Sequence, residues 1–353
     1  MSTLINPPHI GVLPRGPLGT IADVAGVMVG HCTLDDGPVQ TGVTVVHTCG
    51  GDPYRNKTPA GATVINGFGK SIGLMQVEEL GVLETPIALT NTFGVGAVVQ
   101  AQIRAAVRAN PGIGREWPTV NPLVFECNDG YLNDIQALAV TEEHYLRASN
   151  AASIHVPRGC VGAGRGMSCF DLKGGIGTAS RVVAVAGQTY TVGALVLANF
   201  GRLPMLTLDG APVGRMLAER AASVAQASAE KPEQGSIIMI VATDAPLDAR
   251  QLKRLSARAA AGLARTGSVY GHGSGDIALA FSTAYTIPHD AEFITAPSLL
   301  ADTRLDPLFR ACADSVEQAI VDALWSATSL SGRDGHRRLS LLDAAPDLAQ
   351  RVS

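Results

Sequence analysis

Residues 270–285 read YGHGSGDIALAFSTAY, from Tyr270 to Tyr285. Ile277, Ala278, Leu279, Ala280 and Phe281 form a short apolar run without a helical period, which predicts a buried strand. Gly271, His272 and Gly273 ahead of it are turn material. Ser274 therefore stands at the mouth of a strand, between Gly273 and Gly275. Glycines around a single hydroxyl keep the backbone bare, so that something can approach closely. A glycine-rich hairpin turn accounts for the same residues, and on these residues alone both readings stay open.

Further strand-like runs surround this one: GVMVGHCTL, TGVTVVHTC, TPIALTNTF, NPLVFEC, SRVVAVA, TVGALVLANFG and GSIIMIVATDAP. Helical patterns lie between them. GVGAVVQAQIRAAVRAN ends at Pro111 and Gly112. APLDARQLKRLSARAAAGLAR places Leu252, Leu255, Ala259 and Leu263 at steps of three and four, and ADSVEQAIVDALWSA aligns Val316, Ile320, Ala323 and Leu324. Strands and helices come in batches, which predicts an α+β layered fold and not a doubly wound sheet. LAERAASVAQASAEKPEQGS is the expected exposed insertion, and SGRDGHRRLSLLDAAPDLAQRVS the expected peripheral tail.

The 353 residues are 46% apolar and 16% charged, the balance of a globular protein. A net charge of -4 with no basic run gives no sign of a nucleic-acid partner. Cys32, Cys49, Cys127, Cys160, Cys169 and Cys312 are scattered without a CxxC pair, which predicts free thiols, a cytoplasmic location and no zinc site. The start, MSTLINPPHIGVLPRG, has no basic and apolar leader pattern. RVVAVAGQTYTVGALVLANFG is interrupted by Gly187 to Tyr190 and by Gly193, so it reads as two strands and a turn, not a membrane span. GCVGAGRGM offers a glycine-rich loop without the following Lys-Ser/Thr of a phosphate cradle, so no nucleotide cofactor is expected.

A GxSxG elbow needs glycine two residues before the serine and a helix after it; here His272 and a strand stand there. His272 as a base for Ser274 lacks an evident orienting acid. A different chemistry fits the glycines. A serine at a new chain N-terminus carries its own base, an α-amine with a pKa near 8. To free that amine, Ser274 attacks the carbonyl of Gly273, the acyl group moves from nitrogen to oxygen, and water splits the ester.

GHGSGDIALAFST, FDLKGGIGTASR, FECNDGYLND, VLANFG and VATDAPLDARQLKRL together resemble the L-aminopeptidase/D-amino-acid esterase family, which includes the β-peptidyl aminopeptidases. The similarity runs from about Thr20 to about Ala327. It implies a four-layer αββα sandwich, shared with ornithine acetyltransferases, in a self-processing N-terminal-nucleophile hydrolase without a metal or other cofactor. It implies cleavage of one hydrolase domain, 1–353, between Gly273 and Ser274 into chains 1–273 and 274–353. A homo-oligomer, with a tetramer favoured, is implied too.

By the same resemblance Ser274 is the nucleophile, and Ser315 and Glu317 are its downstream hydroxyl and acid. Without the resemblance, DSVEQA reads as a helix N-terminus with its cap. Asn199, ending an apolar strand, is the expected oxyanion donor, or else an ordinary strand-ending asparagine. Lys173, beside glycines, is expected to steer the amine or hold the tetrahedral anion, or else to sit at a turn. The family implies an acid just before VPRGCVGAGRGM, where this chain has Pro157 and Arg158, and a tyrosine at Phe170. A cation at Arg158 repels an ammonium and welcomes a carboxylate or neutral acyl group. Glu126 and Asp129 are the remaining candidates to hold a substrate amine, although Asn128-Asp129-Gly130 is also a turn signal. The substrate implied is a small peptide, amide or ester. An acyltransferase and an uncleaved ligand-binding protein are the alternatives.

Overall fold

The computed structural model describes residues 7–222, 234–295 and 297–350. Its long strands are β1 (Met28–Asp36), β2 (Val39–His47), β3 (Asn56–Gly67), β4 (Ile87–Asn91), β5 (Leu123–Cys127), β6 (Gly175–Val185), β7 (Gln188–Asn199), β8 (Gln234–Thr243) and β9 (Gly273–Ser282). Among the described residues they pair into two sheets. One has four strands in the order β1-β2-β4-β5. The other has seven and runs β3-β9-β8-β7-β6, with short strands Val82–Leu83 and Ile287–Pro288 added on β3.

The expected strand after Ser274 is β9, the parallel neighbour of β8 and the antiparallel neighbour of β3. Its apolar run is buried on both faces because each face meets another layer. The period of two in β8 shows this directly. Ile238, Ile240 and Ala242 point at the four-stranded sheet, joining Val46, Leu89 and Phe125 in a core between sheets. Ile237, Met239 and Val241 point the other way, onto Leu252, Leu255, Ala259, Leu263 and Ile320.

The helices on that outer face are α4 (Ala249–Ser256), α5 (Ala259–Arg265) and α6 (Asp306–Trp325). Two helices that precede them in the chain, α1 (Val95–Ala109) and α2 (Glu142–Asn150), cover the four-stranded sheet through Val98, Ala101, Tyr145 and Ala148. The stack is helix, sheet, sheet, helix. The expected αββα architecture is the observed one.

Three expectations change. APLDARQLKRLSARAAAGLAR reads as one helix but is two. Asp248 caps α4 by accepting from the Gln251 N–H at 2.7 Å, and the Ser256 hydroxyl donates back to the Lys253 carbonyl at 2.8 Å, a local bond that bends the chain before α5. The first residues of the expected insertion, from Leu217, belong to the helix α3 (Val213–Ala222), with Leu217 in the core, and residues 223–233 lie outside the described residues. The tail is not peripheral: Leu341 and Ala345 are buried, because an apolar pair there closes one end of the outer core.

Candidate active site

Register places one row of backbone at an edge of the larger sheet. Asn199, the last residue of β7, lies opposite Ser236; Gly235 lies opposite Ser274; and Gly275 lies opposite Gly67. Two of these positions require glycine. Gly235 has φ +122°, and a side chain there would meet the Asn199 carbonyl oxygen at 2.1 Å. A side chain on Gly275 would stand 2.7 Å from the Phe68 carbonyl oxygen. The glycine after Ser274 thus serves a close approach between strands.

Ser274 is fully buried. Its Oγ donates to Asp276 Oδ1 at 2.6 Å, a bond between side chains on the same face of β9. The Ser274 N–H donates to the Gly271 carbonyl at 2.9 Å, closing the turn ahead of the strand. Asn66, from the end of β3, clasps this turn. Its Nδ2 donates to the carbonyls of Gly271 at 3.0 Å and His272 at 3.3 Å, and also to that of Ser274. A register shift between Asp276 and Ile277 opposite β3 re-aims the strand end here. Ser236 Oγ accepts from the Gly275 N–H at 3.1 Å. His272 is exposed, with its ring 6.1 Å from that of Phe68.

One cavity adjoins this turn, and a second shares Asn128 and Gly235 with it in their walls. The first, about 480 Å³, is bordered by Gly273, His272, Ser236, Lys70 and Glu126. Glu126 is buried; its Oε1 accepts from the Lys70 N–H at 2.8 Å, and its Oε2 accepts from the Thr92 hydroxyl. The second, about 500 Å³, is bordered by Asn199, Ser168, Asp171, Arg202, Arg333 and Arg338. Asn199 bridges two loops, its Oδ1 accepting from the Ser168 N–H at 2.9 Å and its Nδ2 donating to the Asn128 carbonyl at 3.0 Å. A buried hydroxyl on a carboxylate, next to a cleft with its own carboxylate and amide, is equipped for nucleophilic attack on a carbonyl.

The model of Peptidase family S58 matches residues 19–338. The chain belongs to that family. A β-peptidyl aminopeptidase of Sphingosinicella microcystinivorans is 40% identical, over 91% of this chain and 85% of the relative. Among solved structures, the L-aminopeptidase/D-Ala-esterase/amidase of Ochrobactrum anthropi, described as a variant of the Ntn-hydrolase fold, matches with TM-score 0.88. It is 34% identical, covering 98% of this chain and 97% of that one. A β-aminopeptidase of a Burkholderia species matches with TM-score 0.87 at 39% identity, covering 98% and 97%. The S58 chain is thus a peptidase of the Ntn-hydrolase fold, as the resemblance implies. Among its described residues, no helix is long and apolar enough to cross a membrane.

Gly273, Glu126 and Asn199 line the paired cavities, with Ser274 buried directly behind Gly273, and the structure puts the other expected residues of this S58 peptidase elsewhere. Ser315 and Glu317 lie mid-helix in α6. Ser315 Oγ donates to the Val192 carbonyl at 3.1 Å. Val192 pairs with Thr243 and Thr243 with Ser282, so Ser315 is level with the far end of β9, roughly 25 Å along the strand from Ser274. Glu317 Oε2 instead meets Arg265 at 3.3 Å. The two residues hold α6 in place and do not meet Ser274.

Arg158 pairs with buried Asp322 at 2.9 Å beside the edge strand β6, where neighbouring Gly159 bridges to Ile176, so its cation does not face either cavity. Lys173 is fully buried, with Nζ donating to the carbonyls of Gly164, Met167 and Gly174 at 3.1, 2.9 and 2.7 Å; burial lowers its pKa to about 8. It pins the glycine-rich turn. Phe170 packs edge-on to Phe200 with ring centroids 5.0 Å apart, while its neighbour Asp171 reaches the cavity. Asp129 is buried, accepts from Asn133 Nδ2 at 3.0 Å, and is raised to about 6 by burial. It organises the turn that presents Asn128.

Asp276 and Asn66 are the residues sequence reasoning misses. Asp276 had a signal: in a strand, a residue two positions on shares the face of Ser274. Asn66 comes from β3, far away in sequence, and carries no local signature.

Proposed function

We propose that the chain is a self-processing aminopeptidase that breaks its own Gly273–Ser274 bond and then releases N-terminal residues from short peptides, amides or esters through an acyl-enzyme on Ser274. The observation that carries this reading is the 2.6 Å bond from Ser274 Oγ to Asp276, directly after the turn that borders the substrate-sized cavity. Asp276 takes the hydroxyl proton as Oγ attacks the Gly273 carbonyl. The Ser274 nitrogen takes that proton from Asp276 as the C–N bond breaks and leaves as the amine, and water hydrolyses the resulting ester into chains 1–273 and 274–353.

The cut has two effects. It supplies an α-amine that is neutral in useful amounts at pH 7 and takes the Oγ proton in later turnovers. It also frees residues 271–273 to move off the buried hydroxyl, joining Ser274 to the cavity. Glu126 then holds the substrate ammonium, and the Asn199 amide, beside the same backbone row, donates to the oxyanion. Lys173 acts at a distance, by holding the turn from Gly164 to Gly174 against β7. The aminopeptidase names of the relatives support hydrolysis over acyl transfer. The family resemblance supports a homo-oligomer, and six free thiols support a cytoplasmic location.

A Ser274→Ala chain is expected to remain a single polypeptide without activity, while the wild type yields two fragments by intact mass. N-terminal sequencing of the smaller must begin Ser-Gly-Asp-Ile. An active, unbroken wild-type chain overturns the proposal.

A further inference from the structure

Beyond Asn128 and Gly235 the second cavity is basic. Arg202, Arg333 and Arg338 border it, with Asp171 as the acid among its lining residues. Asp171 meets Arg202 at 3.2 Å and Arg338 at 3.7 Å, so one carboxylate is shared by two guanidinium groups. Arg333 pairs at 2.6 Å with Asp334, whose side chain is 71% exposed, a contact that water competes with. The lining therefore carries more positive than negative charge.

The arginines are also held in position. Arg333 Nε donates to the Gly130 carbonyl at 2.7 Å, and Arg338 Nε to Ser168 Oγ at 3.3 Å. The Arg338 guanidinium lies 3.9 Å over the Tyr131 ring, which His336 stacks against at 4.7 Å. Fixed guanidinium forks match a carboxylate. The neighbouring cavity, across the shared wall, holds the acidic Glu126. A short peptide lying along both would place its ammonium at the acid and its C-terminus at the arginines, each residue beyond the scissile bond adding about 3.5 Å of reach.

We propose that Arg202, Arg333 and Arg338 form a subsite for the free C-terminal carboxylate of the leaving group, making di- and tripeptide acids the preferred substrate class. This rests on the reading of Ser274 as the nucleophile. The test uses the purified, processed protein and matched dipeptides led by alanine or β-alanine, each as the free acid and as the C-terminal amide, with amine release followed by mass spectrometry. The acid is expected to exceed the amide at least tenfold in kcat/KM, mainly through KM, with the margin shrinking as salt rises. Arg333→Gln and Arg338→Gln together are expected to cut the acid-to-amide ratio at least tenfold, and lysine at both positions to restore much of it. Equal rates for acid and amide in the wild type overturn the subsite alone, and need no variant to fold. Cleavage of neither form overturns the aminopeptidase reading and the subsite with it.

Discussion

Replacing Asp276 with asparagine separates the proton-transfer step of self-cleavage from everything else at the site. The change conserves size, and the side-chain oxygen can still accept from Ser274 Oγ across the 2.6 Å contact. What is lost is a group that can take the proton as the Gly273–Ser274 bond is attacked. A positioned general base is worth 10²–10⁴-fold, or about 3 to 5 kcal/mol of barrier. Self-cleavage of Asp276→Asn is therefore expected to slow by about two to four orders of magnitude. Freshly synthesised protein sampled over hours, with the two fragments quantified by intact mass, gives the rate. A thermal melt run beside it confirms that the buried substitution has not unfolded β9. A folded variant that divides at the wild-type rate refutes the role of Asp276 and sends the proton to another acceptor.

Lys173, lowered by burial to about 8 from an ordinary 10.5, sheds its proton in the folded protein while the unfolded chain keeps it. Stability relative to Lys173→Met should therefore rise as pH climbs from about 8 to 10.5, by roughly 3 kcal/mol in all; denaturant titrations giving a constant difference rule this out. Arg158→Ala strips the partner from Asp322, whose carboxyl burial has raised to about 6. The loss of stability, about 1 to 3 kcal/mol, should be greater at pH 8, where Asp322 is charged, than at pH 5, where it is protonated. The preference between free and acylated amines should not move, and a shift would return Arg158 to the substrate. Glu126→Gln keeps one oxygen to accept from the Lys70 N–H and sets its NH2 opposite the Thr92 hydroxyl, which can turn to accept from it, so what is lost is the charge; kcat/KM for free-amine substrates should fall about tenfold relative to N-acetylated ones, and an unchanged ratio places the amine elsewhere.

The layers of this fold are legible because their period is local. Ile277 to Phe281 announce a strand buried on both sides, and Val316, Ile320, Ala323 and Leu324 announce a helix face, with no knowledge of what they touch. The nucleophile is legible for a similar reason, since its glycines and strand are contiguous. The rest of the site is assembled by register. Asn66, Ser236 and Asn199 reach the same row only through pairing across β3, β9, β8 and β7. Ser315 and Glu317 illustrate the opposite error. Their spacing matches a family pattern, but the connection from Thr283 to Leu305 and the direction of α6 decide which end of the sheet they reach, and no local period encodes that. Arg333 and Arg338 sit in a stretch whose charge and glycines read as a loose tail, because their anchors, Gly130, Tyr131 and Ser168, lie far back in the chain.

Strand β9 lies between β3 and β8, both of which belong to the portion before residue 273. A break ahead of Ser274 would leave the smaller piece threaded through the middle of a sheet made by the larger. The severed halves would then co-purify as one particle. Neither could work alone, since Glu126 and Asn199 stay with one and Ser274, Arg333 and Arg338 with the other. Once unfolded, the pair must find each other by diffusion, so maturation would turn a concentration-independent folding reaction into one whose yield falls on dilution.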